Sequence, residues 1–223
     1  MESKYKFEDI RKIASGRKAR PIGKFRYSSV LLPLLEIDGG LHILFEVRAH
    51  SLKAQPGEIS FPGGGVEDGE GRAAAAVRET SEELGIPAEK IEVIAELDYI
   101  SSHDGSNIFC MLGTFSEQTL ADAVPNRDEV EEIFLVPLKF FLETEPDVYT
   151  NKVVMEVDEN FPYGQVGIDE NYRWRRSLHT VFVYDYEDPS SRKRYVIWGL
   201  TAMMVRNFVM MLEGEDLSGM LFG

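Results

Sequence analysis

Residues 70–85 read EGRAAAAVRETSEELG, a run rich in helix formers and closed by Gly85. Pro87 bars continuation. On that helix Glu79, Glu82 and Glu83 lie at separations of three and four residues and share one face, with Arg78 adjoining. Three carboxylates on one face repel each other, and a solvated acidic surface is the ordinary outcome of such a run. The segment before the helix changes that reading. Phe61-Pro62-Gly63-Gly64-Gly65 is a loop whose backbone a ligand can approach closely. Hard divalent cations take oxygen ligands, so a carboxylate face beside exposed carbonyls suits one. A bound ion would offset the repulsion and then hold a diphosphate.

Composition sets outer limits. At about 150 residues per domain, 223 residues with strands and helices intermixed and no linker predict one α+β domain over 1–223. The balance of 24 basic against 38 acidic residues gives 24 − 38 = −14, which argues against a nucleic-acid partner. It leaves room for a phosphate substrate, because a metal ion inverts the local field. Cys110 is the one cysteine. It lies in an apolar run and reads as a buried strand residue, and a chain without an internal disulfide suits a reducing cytoplasm. The opening MESKYKFEDIRK has no apolar signal core. Residues 195–212 are the longest apolar stretch, but Arg206 and Asn207 interrupt it, so a core helix is expected and no membrane partner.

Along the chain, residues 6–15 predict a short helix. Strands flank a hairpin turn at Asp38-Gly39-Gly40, and Pro33 suggests a bulge or an edge position in the first of them. Residues 49–69 read as loop. Further strands are expected at 91–100, 107–115, 130–136, 152–157, 180–186 and 193–198, with helices at 137–143 and 198–212. Ala73 to Val77 are expected to form the close-packed inner side of the glutamate helix. Residues 158–178 are long for a structureless loop and suggest a lid or an insertion.

Residues 64–86 resemble the Nudix box: Gly, five residues, Glu, seven residues, Arg-Glu, an aliphatic, any, Glu-Glu, any, Gly, an aliphatic. Gly64, Glu70, Arg78, Glu79, Glu82, Glu83, Gly85 and Ile86 fill those positions, and Thr80 departs where an aliphatic is usual. The resemblance implies an α/β/α sandwich with a mixed central β-sheet and a Mg²⁺- or Mn²⁺-dependent attack on a nucleoside diphosphate derivative. It implies Glu79, Glu82 and Glu83 as metal ligands, with a carbonyl of Gly63 or Gly64 adding an oxygen. Glu70 and Arg78 are implied as supports that orient the helix. Glu82, Glu83 or a late-strand carboxylate would orient or deprotonate the water. Glu129, Glu131 and Glu132 are the late-strand candidates, and alternation puts Glu129 and Glu131 on one strand face. Nudix proteins are often dimers, so a homodimer is a further expectation.

The preceding segment is similar to the extra motif of Nudix coenzyme A pyrophosphatases. Arg48, Ala49, Gly57 and residues 61–64 fit it. Lys53 stands where that motif has a second arginine, keeping the charge and losing the bidentate fork. Glu46-Val47 stands in place of a more polar Thr-x pair. The resemblance implies substrate contacts at Arg48, Lys53, Gly57 and Gly64, with coenzyme A or an acyl derivative cleaved to 3′,5′-ADP and 4′-phosphopantetheine. Another Nudix substrate, such as ADP-ribose or a dinucleotide, is the alternative that Lys53 keeps open. A nucleotide-binding module without turnover is a third reading, against which the intact glutamates argue.

The remaining constellations are weaker. His42, His50, His103 and His179 show no metal-ligand spacing. Arg173, Trp174, Arg175 and Arg176 form the one basic cluster with an aromatic, suited either to an adenine and a phosphate or to the surrounding acids. Trp198 and the methionines of the last helix read as core.

Overall fold

The computed structural model describes residues 4–18, 21–102, 104–174 and 177–215. His103, Arg175 and Arg176 lie outside the described residues.

The chain is a mixed α+β structure with a mixed central sheet. After helix α1 (Phe7–Ser15), strands β1 (Arg26–Ile37) and β2 (Gly40–Arg48) form a hairpin through Asp38 and Gly39, both at positive φ. Strands β3 (Ile59–Ser60) and β4 (Gly63–Gly65) lead to α2 (Arg72–Leu84) and a 3₁₀ turn (Ala88–Lys90). Next come β5 (Glu92–Glu96), β6 (Ile100–Ser101), β7 (Ser106–Thr114), α3 (Glu117–Ala121), β8 (Val130–Pro137) and α4 (Leu138–Glu143). The chain continues through β9 (Asp147–Val153), α5 (Tyr163–Val166), β10 (Ser177–Glu187), β11 (Arg194–Trp198) and α6 (Gly199–Leu212).

The first eight strands make one sheet in the order β3-β2-β1-β7-β5, with β4 on β1, β6 on β7 and β8 on β2. β1 and β7 run parallel, and the other described pairs are antiparallel. The central strands are apolar at nearly every position because both faces are covered. Leu31, Leu35, Leu44, Phe109 and Met111 point to one face and pack with Ala76 and Leu84 of α2. Leu32, Ile43, Phe45 and Cys110 point to the other, packing with residues of α4, α6, β10 and β11. The second face therefore carries a three-stranded sheet, β11-β10-β9, as well as helices.

Several expectations need correction. Residues 49–69 contain β3 and β4. Pro33 is neither a bulge nor an edge residue: it is buried, opposite Gly113 of β7. Its missing N–H falls where the other flank of β1 passes from β4, last partner Val30, to β2, first partner Leu34. The strand expected at 152–157 is β9, five residues earlier. Its residues are mostly exposed, so they lack the apolar alternation that marks a strand. Ala73 and Ala74 are exposed, and Ala75 and Ala76 are the buried pair of α2. Thr80 is fully buried and spends its hydroxyl on the Ala76 carbonyl at 2.7 Å, so the departure from an aliphatic leaves no bare polar atom. Glu129 precedes β8 instead of lying in it, which removes the shared strand face with Glu131. Within 158–178 a short helix and a knot of rings form, Phe161 and Tyr172 both packing edgewise on Trp174. Trp198 is 47% exposed instead of core. Cys110 is a buried strand residue, and burial pushes its thiol up to about 12. Among the described residues no helix is long and apolar enough to cross a membrane.

Gly85 ends α2 at φ +64, and a Cβ there would strike the Val124 carbonyl. Gly85→Ala should therefore destabilise the chain by more than about 1 kcal/mol in urea unfolding. A loss under half that would mean the contact with the 124–126 segment yields easily.

Candidate active site

α2 is fixed to the loop before it through Arg78. The guanidinium donates to Glu70 through Nε at 2.9 Å and through a terminal nitrogen at 3.0 Å. It also donates to Glu79 at 2.9 Å and to the Gly65 carbonyl at 3.0 Å. Glu82 is a looser neighbour at 3.6 Å. Arg78 is thus a planar fork joining β4, the loop and the helix. Its hydrogen bonds, with the Glu67 N–H, hold the Glu70 carboxyl below the ordinary range.

Any side chain at position 64 would displace the Glu79 carboxylate. A Cβ there would collide with the Glu79 carboxylate, its Oε1 2.5 Å away. Gly63 lies beside β1, where a Cβ would meet the Ser29 carbonyl at 2.5 Å. Its N–H donates to Glu83 Oε2 at 2.7 Å. Glu83 is 5% exposed, whereas the Glu82 side chain is 58% exposed. The three box glutamates therefore occupy three environments: one on Arg78, one in solvent and one buried on a backbone amide.

Two further carboxylates complete the cluster. The loop after α3 docks on the end of α2 through Asn126 N–H to the Glu83 carbonyl, 2.9 Å. It also docks on the end of β2 through Ala49 N–H to the Glu129 carbonyl, 2.8 Å. These bonds bring Glu129 within electrostatic reach of Glu83. Glu131 is not brought there: it is exposed on the side of Lys193, and Glu132 is ion-paired to Lys193. Glu46, in β2, was not a candidate from the sequence. It is 1% exposed, accepts from Ser60 Oγ at 3.0 Å and faces Glu83 and Glu129. A charged residue between Phe45 and Val47 in a buried strand was the signal available.

Arg48, at the end of β2, lines a cavity of about 330 Å³ with Ser60, Gly63 and Gly64 on one side and Leu200, Thr201 and Met204 of α6 on the other. The Thr201 hydroxyl donates to the Ile59 carbonyl at 3.0 Å and ties α6 to the loop. Lys53 is exposed and not part of this lining. Gly57 is at φ +72, and its own space is taken by the His50 ring. His50 and Trp198 line a neighbouring cavity of about 380 Å³. Arg173 and Trp174 line a different one with Met155 and Tyr172, in the 158–178 segment.

The donor set suits a hard cation: carboxylate and carbonyl oxygens, crowded and uncompensated at Glu46 and Glu83. Among the described residues no three His, Cys, Asp or Glu side chains converge on one point. Glu79 gives its Oε1 to Arg78, and Glu83 gives its Oε2 to the Gly63 amide.

The Nudix domain profile matches residues 26–156. The chain belongs to the Nudix family. Enzymes of this family generally need divalent metal ions and act on small-molecule nucleoside diphosphates. The chain is 33% identical over 178 residues to the peroxisomal coenzyme A diphosphatase NUDT7 of Mus musculus, covering 79% of this chain and 66% of that one. It is 32% identical over 126 residues to the mitochondrial coenzyme A diphosphatase NUDT8 of Mus musculus, covering 56% of this chain and 60% of that one. It is 29% identical over 181 residues to Nudix hydrolase 15, mitochondrial, of Arabidopsis thaliana, covering 80% and 56%. The chain thus spans between about half and two thirds of these relatives' lengths.

Burial, then repulsion by its neighbours, raises the Glu83 carboxyl from 4.5 to about 9. Burial also raises Glu46 to about 7, against the pull of Ser60 and Arg48. Between 4.5 and these values the native chain without metal binds more protons than the unfolded one, so its stability falls as pH rises. Metal-free protein should lose Tm from pH 5 to pH 9 more steeply than Glu46→Gln or Glu83→Gln, read by calorimetry in chelator. Parallel profiles would show that neither carboxyl is strained by burial.

Proposed function

We propose that the chain is a Nudix diphosphatase that, with Mg²⁺ or Mn²⁺, cleaves coenzyme A or acyl-coenzyme A to 3′,5′-ADP and 4′-phosphopantetheine or its acyl form. The observation that carries this reading is the cavity beside Gly63 and Gly64. Its lining includes Ser60 and Gly63, which hold the buried carboxylates of Glu46 and Glu83, together with Arg48 and the apolar residues Leu200 and Met204 of α6. A charged diphosphate joined to a less polar arm needs those two kinds of wall. Two relatives named as coenzyme A diphosphatases support the substrate class.

Glu79, Glu83 and a carbonyl of the Gly63-Gly64 pair are the proposed holders of the ion, with Glu82 free to turn in from solvent. When bound, the ion supplies neutralisation of the diphosphate and a more acidic water. The chain supplies the rest. Arg78 keeps Glu79 from swinging away, Arg48 attracts phosphate, and Glu129 is placed to accept a proton from the attacking water. Glu82, Glu83 and Glu131 were the other candidates for that base. Glu131, exposed on the Lys193 side, is the least suited of them. A single buried thiol fits a reducing compartment such as the cytoplasm, while the two mouse relatives are named for the peroxisome and the mitochondrion.

The position of Lys53 favours keeping a second reading. Without it in the cavity wall, Arg48 is the one motif cation left there to meet a 3′-phosphate, and ADP-ribose or a dinucleotide needs no such contact.

Product analysis on coenzyme A, acetyl-coenzyme A, ADP-ribose and a diadenosine polyphosphate separates these readings. 3′,5′-ADP from coenzyme A should appear with the highest kcat/KM. Preference for another diphosphate would discard the coenzyme A assignment, and tight binding without turnover would discard the enzyme. Glu83→Gln should lower kcat by about 10²-fold or more, and an unchanged rate would remove it from the site. Arg48→Ala should raise KM for coenzyme A more than for its analogue lacking the 3′-phosphate. Equal effects would mean that Arg48 does not read that group.

A further inference from the structure

Glu46 is held by one oxygen. It lies opposite Ser60 across the β2–β3 pair, and the Ser60 hydroxyl donates to Oε1 at 3.0 Å. Its other oxygen, Oε2, is buried with no hydrogen-bond partner among the described residues. A carboxylate oxygen taken out of water and left bare is costly unless something outside the chain meets it.

The surroundings narrow what that is. Three residues beyond Ser60, the Gly63 amide holds Glu83 at 2.7 Å. Two buried carboxylates are thus fastened to the two ends of one tetrapeptide, Ser60-Phe61-Pro62-Gly63, and Glu129 faces both. Ser60 and Gly63 line the cavity of about 330 Å³, so this tetrapeptide is reachable from outside. Arg48 lies near enough to attract Glu46, but among the described residues it closes no ion pair with it, and its own Nε is also buried without a partner there. A neutral donor arriving at Oε2 would satisfy that atom and leave the repulsion among Glu46, Glu83 and Glu129. A divalent cation meets both needs.

We propose that Glu46 Oε2 is an oxygen ligand for a divalent cation shared with Glu83, at the inner edge of the cavity. The proposal rests on the metal-dependent reading above and adds a carboxylate from β2, outside the Gly64-to-Ile86 box. Mg²⁺-type ions keep several waters and take one or two carboxylates plus substrate phosphates. A pair is therefore sufficient, in keeping with the lack of any three converging ligand side chains among the described residues. Where the resembling motif has a neutral threonine, this chain puts a charge. Ser60 leaves only Oε2 free, and so fixes which oxygen the ion meets.

The test is Mn²⁺ binding to the metal-free protein, by calorimetric titration and by paramagnetic resonance of the free ion. Glu46→Gln should weaken Mn²⁺ at least ten-fold or remove one ion per chain. Glu36→Gln, an exposed acid of β1 that changes net charge equally, should do neither. If Glu83→Gln weakens Mn²⁺ while Glu46→Gln binds as the wild type, the Glu46 ligand is overturned and the metal site stands. If both bind as the wild type, the metal reading falls with it. Should Glu46→Gln not fold, Glu46→Thr, which keeps the strand preference and a hydroxyl, is read against the same outcomes.

Discussion

Arg78 donates from its guanidinium to Glu70, to Glu79 and to the Gly65 carbonyl, and so makes the loop before α2 and the helix itself one rigid piece. The consequences run outward from there. Glu79 is pressed close enough to the backbone that residue 64 has no room for a Cβ. Gly64 pairs with Ser29, so the carboxylate row of α2 is registered directly on the central strand. With that register set, Glu83 falls one helical turn further on, against the Gly63 amide. Lysine could not do this, because its three donors sit on one nitrogen and cannot reproduce four hydrogen bonds made from three nitrogens of a planar fork.

The same arrangement divides the acids into satisfied and unsatisfied. Glu70 and Glu79 share a cation, and Glu82 has water. Glu83 and Glu46 are buried with one polar contact each and repel one another. Such crowding works against folding, and the surrounding sheet has to outweigh it. It does so by burying apolar side chains on both faces of β1, β2 and β7, with α2 closing one face and α6 the other. The strain sits where a cation would relieve it, so stability is given up at the place where the proposed chemistry needs charge.

How much of this was legible in the sequence follows from distance along the chain. Arg78, Glu70 and the box glutamates lie within one loop and one helix, and helical periodicity alone puts the glutamates together. Glu129 could not be read that way. It reaches the cluster through Asn126 docking on the end of α2 and through Ala49, contacts that no local pattern announces. Alternation misled instead, because it was extended to Glu129, one residue before the strand expected at 130 and observed there. Lys53 shows what spacing alone leaves out: its place in the motif matched, but the side chain is exposed and outside the lining of the cavity that holds Arg48. β9 was misplaced because its residues are mostly exposed, and the apolar Val153, Val154, Met155 and Val157 drew the assignment away from it.

Glu46 shows most clearly how a motif can hide a residue. Compared with a family pattern it is a missing threonine, and its charge counts only as a mismatch. Considered as physical chemistry it is a carboxylate between Phe45 and Val47 in the most apolar part of the sheet, where an acid persists only with a partner. Ser60 is half of that partner. The second oxygen of Glu46 has no hydrogen-bond partner among the described residues, and Ser60 itself lines a cavity with Gly63, Arg48 and the first turn of α6. Thr201 of α6 and Ile59 beside Ser60 are joined by a hydrogen bond across 142 residues of sequence. The apolar wall of the cavity is thereby held at a fixed distance from the tetrapeptide that carries both buried carboxylates. A ligand that fills this space must present charge to one side and apolar surface to the other. That requirement comes from the tertiary fold, and the box motif does not contain it.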